Sequence, residues 1–362
     1  MAASSLCKII LSGLLPWQGG WYQFSVRRFA RCRLLAIMPL VPASEYRPNS
    51  LLANGHLQTI TASTLRRVSG VHYRRERLEL LDGDFLDLDW ALVGPGPAGR
   101  LGIISHGLEG DSNRPYVRGM ARALNQAGFD ALAWNYRGCG GETNRLLRAY
   151  HLGDTDDLAA VVGYAAGQYA ELFLTGFSAG GNVTLKYLGE NAARVPSQVK
   201  RAAVFSVPTD LKASSVHIGR WQNQIYLRRF LASLRHKMRV KAAHLPGQLD
   251  LSALDALRDF PQFDERYTAP LHGFASADDY YEQSASGRYL GGIRVPTLLV
   301  NALNDPFLPP SCFPREAARA SEFFYLETPA EGGHVGFNEG GPNGTYYSER
   351  RAIDFLTRAV PG

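Results

Sequence analysis

From Leu101 to Glu190 short apolar runs alternate with amphipathic stretches, and that order leaves few folds open. Leu101 to Ser105, Phe129 to Asn135 and Glu171 to Phe177 read as buried strands. Pro115 to Ala127, closed by Gly128, reads as a helix, as do Thr155 to Tyr169, with Asp154 at the N-cap position, and Ala179 to Glu190. A further strand is expected over Ala202 to Val207. Strands with no polar face must be covered on both sides, and the strand–helix–strand order makes neighbouring strands parallel. Ahead of this block, Arg75 to Leu81 and Phe85 to Val93 alternate apolar with polar residues around Asp82-Gly83-Asp84, a hairpin signal. Residues 38–72 form a Pro-containing lead-in, and Gly94-Pro95-Gly96-Pro97 is a loop. From Pro208 to Gly291 the alternation breaks, and helical periodicity with many aromatics takes over, above all in Trp221 to Val240. Strands return at Thr297 to Asn301 and Phe323 to Leu326, and a last helix is expected near Tyr346 to Ala359. The expected class is α/β: a mostly parallel eight-stranded sheet with helices on both faces and a helical cap insertion. The expected division is a core of residues 38–207 and 292–362, a cap of residues 208–291 and an N-terminal extension of residues 1–37.

Within that frame Gly176-Phe177-Ser178-Ala179-Gly180 is the sharpest chemical signal. It is a G-x-S-x-G elbow flanked by a strand, Leu172 to Thr175, and a helix, Asn182 to Leu188. The chain must turn sharply and hold Ser178 strained, and large side chains at Gly176 and Gly180 would collide. A serine hydroxyl needs a base to become a nucleophile. Of nine histidines His334 alone follows His272, and Glu331-Gly332-Gly333-His334-Val335-Gly336 gives it a small-residue loop after a strand. Asp305, in Asn304-Asp305-Pro306 after the strand Thr297 to Asn301, stands where a carboxylate can orient the imidazole. An oxyanion site would use the backbone N–H groups of Ala179 and of Leu108, the latter in Ser105-His106-Gly107-Leu108-Glu109-Gly110. His106 reads as a packed brace for that loop. Asn135-Tyr136-Arg137-Gly138-Cys139-Gly140-Gly141 lacks both P-loop and dinucleotide spacing and reads as structure near the pocket; Cys139 is not taken as a nucleophile. His151 and Asp154 are expected to order a helix start. Asn182-Val183-Thr184 matches a glycosylation sequon inside a helix and is read as incidental.

Charge narrows the partners. The net charge is +6, but residues 1–37 hold Lys8, Arg27, Arg28, Arg31 and Arg33 and no acid, leaving +1 for the rest. The body is nearly neutral, which disfavours nucleic-acid binding. The apolar run Leu6 to Leu15 is interrupted by Lys8, Ser12 and Gly13 and stopped by Pro16, too short for a membrane span. The segment reads as a poorly ordered extension or sequence upstream of a start at Met38. A targeting peptide or a surface anchor built on Trp17, Trp21, Tyr22 and Phe24 is the other reading. Apolar residues at 45% and charged residues at 20% suit an ordinary globular core. Four scattered cysteines without a C-x-x-C pair fit a reducing compartment, the cytoplasm.

The motifs together resemble the YheT-like branch of the α/β hydrolases, a group described as candidate esterases. The resemblance rests on Asn54-Gly55-His56-Leu57-Gln58-Thr59, the Ser105 to Gly110 loop, Asn135-Tyr136-Arg137-Gly138, Gly176 to Asn182 and Ala269-Pro270-Leu271-His272-Gly273-Phe274. It spans residues 38–362; Ala179 departs from the leucine often found there, which alters pocket width more than chemistry. It implies the α/β-hydrolase fold and ester or lipid-ester substrates, and some relatives are similar to alcohol acyltransferases. The expected reaction is cleavage of a short to medium or lipid-like carboxylic ester through Ser178, Asp305 and His334, with no metal or organic cofactor. The partner is a small-molecule ester, and oligomeric state is open. An alcohol O-acyltransferase shares the acyl-enzyme and stays open. A lyase, peroxidase or amidase on the same triad and a non-catalytic binding protein also stay open.

Overall fold

The computed structural model describes residues 40–41, 43–48, 53–341 and 343–358. The readings made for residues 1–37 lie outside the described residues. The sheet is built of β1 (Arg74–Glu79), β2 (Phe85–Ala91), β3 (Arg100–Ser105), β4 (Asp130–Asn135), β5 (Glu171–Phe177), β6 (Val199–Phe205), β7 (Thr297–Val300) and β8 (Phe324–Glu327). Their order across the sheet is β1-β2-β4-β3-β5-β6-β7-β8. β2 pairs antiparallel with both β1 and β4, and every pair from β4 to β8 is parallel.

Two apolar clusters, one on each face, show why the strands read as continuous apolar runs. Ile103, Leu172, Leu174, Ala202, Val204 and Leu299 belong to one cluster. Ile104, Phe173, Ala203, Phe205, Leu298 and Val300, their neighbours in the chain, belong to the other. Successive side chains of a strand point to opposite faces, so both faces need apolar cover. Helix α1 (Gly55–Thr64) precedes the sheet. Helix α2 (Pro115–Gln126) covers one face with Val117, Met120, Ala121 and Leu124, spaced for a single helical stripe, and Pro115 sits at its first turn. Helices α3 (Thr155–Ala166) and α4 (Ala179–Glu190) cover the other face through Leu158, Val161, Val162, Val183, Leu185 and Leu188.

Between β6 and β7 come α5 (Leu211–Ile218), α6 (Gln224–His244), the short α7 (Phe260–Phe263) and α8 (Ala269–Leu271), and α9 (Ala277–Ser284). This segment has its own apolar clusters, including Leu227, Leu231, Met238, Phe260 and Phe263. The small α10 (Arg315–Arg319) and the final α11 (Tyr347–Thr357) complete the order.

Strand ends shift by one or two residues from the sequence reading, and four differences are more telling. The lead-in contains α1, opened by Asn54, whose side chain accepts from the N–H of His56 and Leu57. Its buried residues are Gly55, Gln58, Thr59 and Ala62, so no apolar stripe marked it. β6 begins earlier, in the polar Val199–Arg201 stretch, and ends at Phe205 because Ser206 turns with φ 54°. α3 stops at Gly167 rather than running to Tyr169. Asp154 occupies the N-cap position but makes no capping bond; its carboxylate pairs with Arg148 at 2.7 Å.

The loop after β4 is fixed by a buried charge hub. Arg137 bonds Asp157 through Nε and Nη2 at 2.9 and 2.6 Å, and its Nη1 reaches Asp82 at 2.7 Å and Asp84 at 3.2 Å. Burial pushes the Asp84 carboxyl up, but hydrogen bonds from Asn144, from the N–H of Arg145 and Phe85, and the Arg137 charge leave it below its ordinary value. The stability it adds is present above the ordinary carboxylate pKa of about 4 and is lost as pH falls through the depressed folded value. Replacing Arg137 by Met strands two buried carboxylates and is expected to cost about 3–5 kcal/mol. Urea unfolding checks this as a lower midpoint at unchanged slope. A midpoint equal to wild type would mean that the remaining donors satisfy Asp84 and Asp157 alone.

Candidate active site

The carboxyl ends of the parallel strands carry the chemistry, as open α/β sheets do. Ser178 lies between β5 and α4 with φ 53° and ψ −119°, a left-handed conformation rare for a residue with a side chain. The flanking glycines are required by space. A Cβ at Gly176 would stand 2.7 Å from the Gly180 carbonyl oxygen, and one at Gly180 would stand 2.3 Å from that of Ser105. The turn is held by Ser178 N–H on the Phe205 carbonyl at 2.9 Å and by Asn182 N–H on the Ser178 carbonyl at 3.1 Å.

His334 Nε2 lies 2.9 Å from Ser178 Oγ, and its Nδ1 lies 2.9 Å from Asp305 Oδ2 and 3.1 Å from Oδ1. The structure thus brings together the three side chains singled out in the sequence. The Asp305 side chain is fully buried, and its Oδ1 also accepts the Phe307 N–H at 2.8 Å. The Phe307 ring lies 4.2 Å from the imidazole, centroid to centroid. A hydroxyl, an imidazole and a carboxylate in this order can move a proton off the hydroxyl while the imidazolium is stabilised.

The loop that carries His334 is pinned by three side chains. The Gly333 N–H donates to Asn304 Oδ1 at 2.9 Å, the His334 N–H to Thr59 Oγ1 at 2.8 Å and the Val335 N–H to Ser206 Oγ at 2.9 Å. Val335 and Phe337 have φ of 56° and 43°, so the loop is tightly coiled. Thr59 is on α1, and a Cβ at Gly333 would stand 2.4 Å from the Gly55 carbonyl oxygen. α1 is therefore part of the site's support, a role the sequence reading did not assign.

The loop after β3 approaches Ser178 closely: a Cβ at Gly107 would stand 3.3 Å from Ser178 Cβ. Leu108 and Ala179 line the same cavity as Ser178 and His334. Among the described residues no acceptor is bonded to the Leu108 N–H, and Ala179 opens α4, where the first N–H groups have no intrahelical partner. Neighbouring Glu109 has φ 54°. Its N–H donates to Tyr150 Oη at 3.0 Å, and its carboxylate accepts from Tyr150 at 2.7 Å, from Lys237 at 2.9 Å and from Ser233. Lys237 and Ser233 are on α6, so the helical insertion grips this loop through a residue that sequence reasoning left without a role. His106 is buried, and burial pushes its imidazole down to about 3, so it is neutral. Its Nδ1 lies 2.8 Å from the Gly107 carbonyl, and the Tyr136 hydroxyl donates to the His106 carbonyl at 3.0 Å. It braces the loop. Cys139 Sγ accepts from Lys237 Nζ at 2.9 Å, and burial pushes the thiol up to about 11, which makes it a poor nucleophile.

Two cavities meet at Ser178 and His334. The first, about 1270 Å3 counted out to its mouth, is lined largely by the insertion, including Leu211, Ile218, Phe230, Leu234, Met238 and Phe263. The second, about 1360 Å3, opens between α1 and α6 past Ile60, Ile225, Tyr226 and Arg229.

Replacing Thr59 by Val leaves the part-buried His334 N–H without its protein acceptor, which costs about 1 kcal/mol. The expected kinetic result is a fall of roughly tenfold in kcat with KM little changed, because the histidine loses its fixed position. Thr59→Ser should restore the rate. A Thr59→Val enzyme with wild-type kcat would free α1 from any part in catalysis.

A profile of the alpha/beta hydrolase fold family matches residues 103–340. The chain is 35% identical to the candidate esterase YheT of Escherichia coli (strain K12), over 87% of this chain and 94% of that protein. It is 30% identical to phospholipase ABHD3 of Mus musculus, over 84% of this chain and 76% of that protein. Among solved structures an esterase of Pyrococcus furiosus superposes with a TM-score of 0.53 at 16% identity, covering 79% of this chain and 90% of that one. Its shared feature is the fold. The chain belongs to the α/β-hydrolase fold family, in the YheT-like branch.

Proposed function

We propose that the protein is a serine esterase that cleaves carboxylic esters through an acyl-enzyme, with residues 208–291 acting as a cap over the site. The observation that carries this reading is the unbroken Ser178–His334–Asp305 hydrogen-bonded chain at the junction of two cavities. Ser178 Oγ attacks the carbonyl carbon as His334 Nε2 takes its proton, and Asp305 holds the imidazole by Nδ1. The Leu108 and Ala179 N–H groups receive the charge that forms on the carbonyl oxygen. The tetrahedral intermediate collapses, His334 returns the proton to the leaving alcohol, and water repeats the sequence to release the acid. The apolar first cavity suits the acyl chain, and the second suits the alcohol part. Relatives named as an esterase, a phospholipase and a monoacylglycerol lipase support an ester as substrate.

Hydrolysis of p-nitrophenyl esters of graded acyl length is the test. Ser178→Ala is expected to lose at least about a thousandfold in kcat. An optimum at medium chain length would match the first cavity. Retention of wild-type turnover by Ser178→Ala would remove the serine mechanism.

The second cavity also favours a specific variant of this reading, transfer of the acyl group to an alcohol. A cavity that releases an alcohol can admit one, since deacylation retraces acylation. Added short alcohols are then expected to divert part of the product from acid to ester; acid as sole product at every alcohol concentration would leave hydrolysis alone. Cys139 and Cys312 are free thiols, which supports the cytoplasm as the working compartment.

A further inference from the structure

The second cavity opens between two helices whose outer surfaces do not match an ordinary solvent-facing surface. His56 on α1 stacks on Tyr226 of α6, with ring centroids 5.8 Å apart and planes 10° from parallel, so the two helices touch beside the mouth. Ile60 and Ile225 line the cavity from either side. One helical turn earlier on each side, Leu57 and Trp221 turn outward, 48% and 81% exposed, and Ile225 itself is 68% exposed. Single exposed apolar side chains are ordinary, but four on α1, on α6 and on the turn that leads into α6 form a patch beside one cavity mouth that marks an interaction site.

The two segments that form the patch carry charge of one sign. Residues 211–249 contain no Asp or Glu, and neither does the stretch 53–67 that holds α1. Lys212, Lys237 and Arg239 have acidic partners in Asp278, Glu109 and Asp255. Arg220, Arg228 and Arg229 are exposed, stand in the same turns as Trp221 and Ile225, and have no acidic partner among the described residues. Their charges are thus free for an external anion.

We propose that this rim docks on an anionic lipid–water interface, so that the second cavity opens toward the lipid. The indole of Trp221 and the side chain of Leu57 enter the headgroup layer, where an amphipathic ring and an aliphatic chain are both favoured. The three guanidinium groups meet lipid phosphates. A nucleic acid or an acidic protein surface would reward the arginines but leave Trp221, Leu57 and Ile225 unexplained. No helix among the described residues is long and apolar enough to cross a membrane, so the contact proposed is with the surface. It goes beyond the esterase reading, because it concerns binding and needs no turnover.

The test is co-sedimentation of the full chain with vesicles of phosphatidylcholine alone and of phosphatidylcholine mixed with phosphatidylglycerol. The mixed vesicles are expected to bind the protein, and added salt to weaken the binding. Leu57→Ser/Trp221→Ser should weaken partition at least about tenfold. Arg220→Gln/Arg228→Gln should weaken it by about fivefold per charge on the anionic vesicles alone. None of these four residues lines either cavity, so both variants should keep wild-type turnover of a soluble ester, and Ser178→Ala should bind vesicles as the wild type does. Equal binding to both vesicle types overturns the proposal, as does unchanged binding by both double variants. A lipid-independent dimer that Leu57→Ser/Trp221→Ser dissolves would assign the patch to a second copy and also overturn it.

Discussion

The left-handed turn at Ser178 is the constraint around which the carboxyl edge of the sheet is built. A residue with a side chain in that region costs of order 1–3 kcal/mol and persists only where its surroundings over-determine it. Here they do. Gly180 packs on the ends of β3, Gly176 packs on Gly180, and the Ser178 N–H is taken by the end of β6. The strands that supply these contacts are the central parallel ones, whose apolar side chains fill both faces of the sheet. The cost of the turn is met by core packing, and its benefit is a hydroxyl that stands clear of the sheet at the head of a helix.

The histidine is positioned by different means. Its loop has no regular structure and follows a strand of four residues, β8. Precision comes instead from three side-chain acceptors on three separate elements, Asn304, Thr59 and Ser206. Asn304 adjoins Asp305, so one short segment fixes both the loop and the carboxylate that orients the ring. Thr59 belongs to α1, which is distant in sequence and lies against the loop through Gly55 and Gly333.

This division explains what could be read from the sequence. The sheet, its covering helices and the elbow follow from apolar periodicity and from a glycine pattern dictated by sterics, both of which are local. Asp305 and His334 were singled out because a serine nucleophile on such a fold calls for an acid and then a base after it, each behind a strand, and the structure places them in one hydrogen-bonded chain with Ser178. α1 gave no such signal: its buried face is Gly55, Gln58, Thr59 and Ala62, chosen for close approach and hydrogen bonding rather than for apolar area. The Asn54 cap was the one local clue, and the motif that follows it entered the reading through resemblance, without a role. Glu109 was hidden for a related reason. Its partners Tyr150, Ser233 and Lys237 are 41, 124 and 128 residues away, and no spacing rule joins them.

Glu109 also ties the helical insertion to the site. It follows Leu108, and its carboxylate, only 4% exposed, holds Lys237 of α6. Lifting α6 off the site would part this ion pair and the Ser233 hydrogen bond, and would expose to water the apolar side chains of α6 that pack with Leu108 and Phe307. It would also loosen the loop in which Leu108 lines the cavity beside Ser178 and His334. α6 therefore works better as a fixed wall than as a lid. With that wall in place, the route that leaves the loop undisturbed is the gap between α1 and the first turns of α6. Both sides of the gap are supported from within, by Thr59 under the histidine loop and by Glu109 under the helix. Under the proposed esterase reading, a substrate using this gap would disturb neither the loop that carries Leu108 nor the loop that carries His334.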